Sequence, residues 1–346
     1  MSASHLDPQD MKQAIYDFAD NLRDAMAIGQ GVVLKSPPAS INNVVVAGMG
    51  GSAIGGNVNR MLLRDELSVP IYVSRNYQIP SWADKHTLVI ASSYSGGTEE
   101  TLSAMTDALE KGCQICGITT GGKLKDVLQE NDCDTVLIPA GLQPRAALAY
   151  SFVPMLYLLK GFGLVASDID QNLKKTADLL VSLRDNYSRA SDDNATWLLA
   201  KSVHATIPII YGETESTAVV AMRWRGQFSE NGKMLAFHNE LPELNHNEIV
   251  GWENNPELFN HLSIIWLKDK SDQERVSMRQ DVTGTILKNV TKNQYEVTVS
   301  GASRFERLLH LIHYGDWVSL WCAYFHETDP SPVEKISNLK DQLSRK

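Results

Sequence analysis

The chain has 346 residues, 43% hydrophobic and 21% charged, which is enough to bury a large core and long enough for about two domains. Its formal net charge of −9 argues against a surface that tracks nucleic acid or an anionic membrane, yet one local pocket could still be positive and hold a small anion. The opening MSASHLDPQDMKQAIYDFADNL has no basic segment followed by an apolar run, and no stretch approaches the roughly 20 apolar residues of a spanning helix, so a cytoplasmic protein is expected.

In chain order, residues 8–34 have helical periodicity, and VVVAG at 44–48 is a β-branched run ending in glycine, as a buried parallel strand should be. A helix over 53–63 follows. Further strands are expected at 70–74, 87–92, 115–119 and 135–140, with a helix over 98–111 that stops at Gly112. This alternation predicts a doubly wound α/β domain. A long apolar stretch begins after Arg145, and the polar helical segment 168–189 is expected to connect two halves. The pattern then resumes with strands at 207–212, 262–267 and 295–301 and helices at 216–229, 272–289 and 304–324, and a last helix runs over 333–343. The expected division is 1–165 and 166–346.

Two glycine loops carry the first chemical signal. AGMGGSAIGG at 47–56 leaves a strand and opens a helix, where backbone N–H groups of Gly50, Gly51 and Ser52 approach an anion or a sugar oxygen. Gly48, Gly50 and Ala53 also fit a dinucleotide fingerprint, but the next strand ends in Ser74, Arg75 and Asn76, without the acidic residue that holds a ribose. The second loop, SSYSGGTEET at 92–101, sets Ser93, Ser95 and Thr98 around Gly96 and Gly97 just before a helix, and forms a phosphate cradle without a lysine. The plainer alternative is that Thr98 merely caps that helix. Four cysteines, Cys113, Cys116, Cys133 and Cys322, do not make a disulfide framework, and the lone pair Cys113/Cys116 lacks a partner pair at zinc spacing.

At these loops the sequence resembles the sugar isomerase (SIS) domain family and, with QPRAAL at 143–148, QFSENGK at 227–233, PELNHNEIVGW at 242–252 and ISNLK at 336–340, the bifunctional phosphoglucose/phosphomannose isomerases. The resemblance implies two doubly wound parallel-sheet SIS domains with a C-terminal helix, a homodimer with shared active sites, no cofactor and no metal. It also implies roles. Glu230 is the base that moves a proton between C1 and C2 through a cis-enediol, and Arg145 steadies the enediolate. His246, supplied by the partner subunit, opens the ring with the help of Lys340, although Lys335 lies near enough to compete for that place. A histidine suits the task because it titrates near neutrality. The implied reaction interconverts glucose 6-phosphate, with mannose 6-phosphate as a second substrate, and fructose 6-phosphate. A non-catalytic SIS regulator that binds sugar phosphate is the alternative, but it would need the cradle and not the set Glu230, His246 and Arg145.

Overall fold

The computed structural model describes residues 6–35, 40–343 and 345. The chain divides into two compact units. One comprises Asp17–Val181 with Gly301–Glu306, and the other Ser182–Ser300 and Arg307–Lys346 with the amino-terminal residues up to Tyr16.

The amino-terminal unit is built on five strands, β1 (Asn43–Ala47), β2 (Ile71–Ser74), β3 (Thr87–Ser93), β4 (Gln114–Thr119) and β5 (Asp134–Leu137), all parallel in the order β2-β1-β3-β4-β5. Val44–Ala47 and Leu88–Ala91 are fully buried, which explains why these strands read as continuous apolar runs rather than alternating ones. The expected helix over 8–34 is two, α1 (Met11–Tyr16), which belongs to the other unit, and α2 (Phe18–Gln30). Then come α3 (Gly50–Leu62), α4 (Glu99–Glu110), α5 (Gly122–Glu130), α6 (Leu148–Gly161) and α7 (Ile169–Tyr187). Helix α7 is more than a connector. Ile169, Leu173, Ala177 and Leu180 recur at helical spacing and are buried, while Asp178 pairs with Arg23 at 2.8 Å and Asp170 accepts from Gln30 at 2.6 Å on α2. The boundary expected after residue 165 therefore falls inside this unit.

The carboxy-terminal unit carries α8 (Ala195–Val203), β6 (Ile207–Glu213), α9 (Ala218–Glu230), β7 (Phe237–Leu241), α10 (Pro256–Phe259), β8 (Leu262–Leu267), α11 (Glu274–Leu287), β9 (Gln294–Val297), α12 (Arg304–Phe325) and α13 (Glu334–Leu343). Its four strands are parallel in the order β7-β6-β8-β9, which repeats the plan of the first sheet one strand short. Helix α9 is fixed to α12 by a buried cluster. Arg223 donates twice to Asp316, at 3.1 and 2.7 Å, Gln227 donates to Asp316 at 2.8 Å, and the Trp224 indole reaches the Leu311 carbonyl at 2.9 Å. Gly315 makes this approach possible, because a Cβ there would lie 2.0 Å from the Trp224 Nε1.

In each sheet the strand order reverses beside the first strand of the unit, and an open α/β sheet binds ligands at such a point, outside the carboxyl ends of the strands. The fold therefore offers two crevices, one between β1 and β3 and one between β6 and β8.

Candidate functional site

The crevice of the amino-terminal unit is lined by the two glycine loops. Ala47 of β1 pairs with Ala91 of β3, so the loops start side by side, and a Cβ on Gly48 would come within 2.9 Å of the Ser92 carbonyl. Gly50 holds φ at +48°, a left-handed backbone that favours glycine at the start of α3. In the second loop the Ser93 hydroxyl lies 2.9 Å from the Thr98 hydroxyl and accepts the Gly96 amide at 3.1 Å, while the Ser95 hydroxyl accepts the Gly97 amide at 3.4 Å. Thr98 occupies the N-cap of α4, yet its side chain makes no capping bond. It is turned toward Ser93, so the capping explanation of this threonine fails. Ser52 and Ser93 are buried, Thr98 is half-buried and Ser95 is exposed.

A further glycine pair shapes the cradle from below. Gly96 has φ +67° and packs so tightly on the turn after β4 that a Cβ would overlap the Gly121 carbonyl at 1.7 Å. The Gly96 carbonyl accepts the Leu124 amide at 2.8 Å, and Thr119 braces the same turn through the Gly121 carbonyl at 2.8 Å. Sequence reading does not find this support; the T-T-G-G run ending β4 is its only signal.

Arg145 belongs to the same crevice. A Cβ on Gly51 would lie 2.8 Å from the Pro144 carbonyl, so the first glycine loop touches the residue before Arg145. The Tyr94 hydroxyl accepts the Leu142 amide at 3.1 Å and ties the serine loop to the same segment. Arg145 is only 4% exposed, unlike the arginine of a surface ion pair. Thus Gly50, Gly51, Ser52, Ser93, Ser95, Gly96, Thr98 and Arg145 share one crevice.

The remaining expected residues lie in the carboxy-terminal unit. Glu230 is the half-buried last residue of α9. Beside it, the Lys233 ammonium donates to the carbonyls of Glu230 (2.5 Å), Pro330 (2.9 Å) and Pro332 (2.5 Å) and so starts α13 next to the end of α9. Lys340 stands on α13, whose residues are all exposed. Lys335 and Lys340 flank the stripe formed by Ile336, Leu339 and Leu343 on opposite sides, as about 100° per residue requires.

His246 ends a short 3-10 turn, Glu243–His246, just after β7, and its ring is exposed. Because β6 and β7 are parallel, α9 must return the chain to the opposite edge of the sheet. Thirteen residues at ~1.5 Å each carry Glu230 about 18 Å away from the edge where His246 lies. Within one unit, the structure keeps these two residues apart.

The second crevice contains no glycine cradle. At the end of β8, Arg307 donates to Asp269 through Nε at 2.6 Å and Nη2 at 3.1 Å, and the Ser271 amide and hydroxyl donate to the same carboxylate at 2.8 and 2.5 Å. Burial alone would push the Asp269 carboxyl up, but Arg307 and Ser271 outweigh it and hold the group below the ordinary carboxylate range. The Gln273 side chain caps α11, accepting from Arg275 and Val276. Arg307 and Ser271 thus occupy the crevice around Asp269, while Oδ1 of the neighbouring Asp272 lies buried without a hydrogen bond among the described residues. Among the described residues, no three His, Cys, Asp or Glu side chains gather as a metal-binding group, and no helix is long and apolar enough to cross a membrane.

Comparison with known proteins agrees with this construction. Residues 192–343 match the model of the bacterial phospho-glucose isomerase C-terminal SIS domain. The chain is 42% identical over 336 residues to a bifunctional phosphoglucose/phosphomannose isomerase of Caldicellulosiruptor bescii, covering 96% of this chain and 99% of that one. It is 35% identical over 303 residues to the corresponding protein of Aquifex aeolicus, covering 87% and 90%. Among solved structures, a hypothetical protein from Thermus thermophilus superposes with a TM-score of 0.70 at 14% identity, covering 97% of this chain and 90% of that one, which shows a shared fold. The crevice, the fold and the extent of identity together place the chain in the family of bifunctional phosphoglucose/phosphomannose isomerases, enzymes of the intramolecular oxidoreductase class.

Proposed function

We propose that the protein interconverts glucose 6-phosphate, and mannose 6-phosphate, with fructose 6-phosphate through a cis-enediol, with Glu230 as the base. The observation that carries this reading is the turn of Thr98 away from its cap position toward Ser93, which leaves the start of α4 for a ligand's phosphate rather than for its own side chain. Ser93, Ser95, Thr98 and the Gly96 region then hold the phosphate, and Gly50, Gly51 and Ser52 hold sugar oxygens.

In this mechanism the Glu230 carboxylate removes the proton from C2 of the open-chain aldose, and the electron pair forms the C1–C2 double bond as charge moves onto the C1 oxygen. Arg145, positively charged and buried, offsets that charge. Glu230 then returns its proton to C1 while the proton of the C2 hydroxyl passes to the C1 oxygen, which gives the ketose with no net gain or loss of protons. His246 and Lys340 transfer the protons that open the ring before this step. The opposite placement of Glu230 and His246 across β7 supports a homodimer in which each site takes His246 from the partner copy.

Subunit mixing tests this. Glu230→Gln and His246→Ala proteins, each of low activity, should regain about a quarter of wild-type turnover per dimer after exchange, since one mixed dimer site in two carries both intact residues and half the dimers are mixed. No recovery after verified exchange rejects the shared site. A coupled assay with fructose 6-phosphate that shows binding and no turnover supports the regulator reading instead.

A further inference from the structure

We propose that Glu248 is the positioning residue for His246, a reading that rests on the ring-opening role of His246 given above. The segment between β7 and α10 has little regular structure of its own, only two short 3-10 turns, Glu243–His246 and Glu248–Trp252. It is nonetheless anchored at nearly every residue around the histidine. Leu244 and Trp252 are buried in one apolar cluster with Tyr211, Leu241 and Trp266. The Asn245 amide donates to the Thr283 hydroxyl on α11 at 2.8 Å. Asn247 donates to Glu243 at 2.6 Å and accepts the Glu248 amide at 2.6 Å.

Glu248 makes the link to the sheet. Its Oε1 accepts from the hydroxyl of Tyr211 in the centre of β6, and its Oε2 accepts from the Asn239 amide of β7 at 2.5 Å. Tyr211 is fully buried and cannot shift, so the carboxylate is held from two neighbouring strands at once. Residues 245, 247 and 248 are thereby fixed while the ring of His246 makes none of these bonds and stays exposed. Such an arrangement spends the polar groups of the turn on its backbone course and presents one side chain outward. Glu248 touches no reacting atom in this proposal. It acts through His246, and loss of its two bonds frees the turn by the ångström or so that costs about 10²-fold in rate.

The test is a side-chain exchange. In Glu248→Gln one oxygen must serve two donors: with the new NH2 toward Asn239 donor meets donor, and with it toward Tyr211 the hydroxyl proton loses its acceptor, so one bond is lost either way and the turn loosens. Turnover of glucose 6-phosphate should fall about 10- to 100-fold. Adding Asn239→Asp restores a donor–acceptor pair with the roles reversed, and the double variant should recover to within about threefold of wild type, although it has no carboxylate at position 248. A double variant that folds normally by circular dichroism and stays as slow as Glu248→Gln overturns the proposal, because a carboxylate acting directly on substrate cannot be rescued from residue 239. Two further measurements separate it from a general folding role. The Glu248→Gln defect should shrink, as that of His246→Ala does, on an aldose phosphate too short to close a ring, and combining Glu248→Gln with His246→Ala should be no slower than His246→Ala alone. Defects that multiply overturn the proposal. If His246→Ala is itself as active as wild type, the ring-opening reading fails, and the positioning proposal falls with it.

Discussion

The two crevices follow one plan and differ in what fills them. Between β1 and β3 the loops are glycines and hydroxyls, and the residue at the cap of α4 turns aside. Between β6 and β8 the same place holds Arg307 against Asp269, with Ser271 on the carboxylate and Gln273 on the start of α11. A parallel sheet with a reversal of strand order supplies a concave place in both units, but one is lined by glycines and short hydroxyls and the other is occupied by a buried ion pair. On the proposed reading one unit binds the phosphate and the other supplies proton transfer, from Glu230 at the end of α9 and His246 in the turn after β7.

The sharpest way to break this division is at Glu230. Glu230→Gln should lower turnover by about 10² to 10⁴ and leave KM for sugar phosphate within about threefold, because shape and binding persist while the base is gone. Steady-state kinetics decide it; a KM that rises with unchanged turnover would assign Glu230 to binding. In the other unit the pattern should invert. Ser95→Ala with Thr98→Ala should raise KM about tenfold or more and spare turnover, since the phosphate is held equally in ground and transition states. An unchanged KM would reduce the loop to a turn.

The third prediction concerns the second crevice. Asp269→Ala removes the buried carboxylate that Arg307 and Ser271 share and should lower stability by about 3 kcal/mol in urea unfolding, with KM of the folded enzyme unchanged. A raised KM there would make the second crevice part of the substrate site. The smallest effect is expected from a fall in pH from about 7.5 to about 5. Trp317 donates its indole N–H to His313 Nε2 at 2.9 Å, and burial holds that ring at about 3, below its ordinary value. His310 is lowered for the same reason. His313 is neutral in the fold, whereas in the unfolded chain it takes up a proton below about pH 6.5, so its contribution is complete above that value and is lost as pH falls toward about 3, at about 1 kcal/mol per pH unit, and His310 adds a loss of the same sign. Every tryptophan except Trp82 lies in the carboxy-terminal unit, so tryptophan fluorescence should follow the acid loss of that half. A urea midpoint that stays constant between about pH 7.5 and about pH 5 contradicts it.

How much of this is legible beforehand depends on what the signal rests on. Strands such as Val44–Ala47 and Leu88–Ala91 are buried on both faces, and burial on both faces writes an apolar run into the sequence. Strand β7, FHNEL, escapes such reading because it lies at a sheet edge with only Leu241 fully buried, so neither an apolar run nor alternation marks it. Without β7 the separation of Glu230 from His246 stays hidden, since it depends on counting one more crossover. The glycine loops can be read from residue type and place. The departure of Thr98 from its cap cannot, because Ser93, which draws it away, is five residues distant and the preference for threonine at an N-cap describes only local competition. Helix α7 misleads in another way, since its mean polarity conceals six buried residues, Ile169, Leu173, Thr176, Ala177, Leu180 and Tyr187, on one side.

The placement of the residues up to Tyr16 has a consequence for how the protein is made. The Tyr16 hydroxyl meets Asp185 at 2.6 Å, and the Lys12 ammonium lies over the Trp321 ring at 5.8 Å. Helix α1 therefore waits for partners encoded about 170 and about 310 codons later, the second after roughly 15 to 60 s at ordinary elongation rates. During that interval Met11 and Ile15, both buried in the finished protein, have no surface to cover them, whereas the strands of the amino-terminal unit emerge together and can assemble at once.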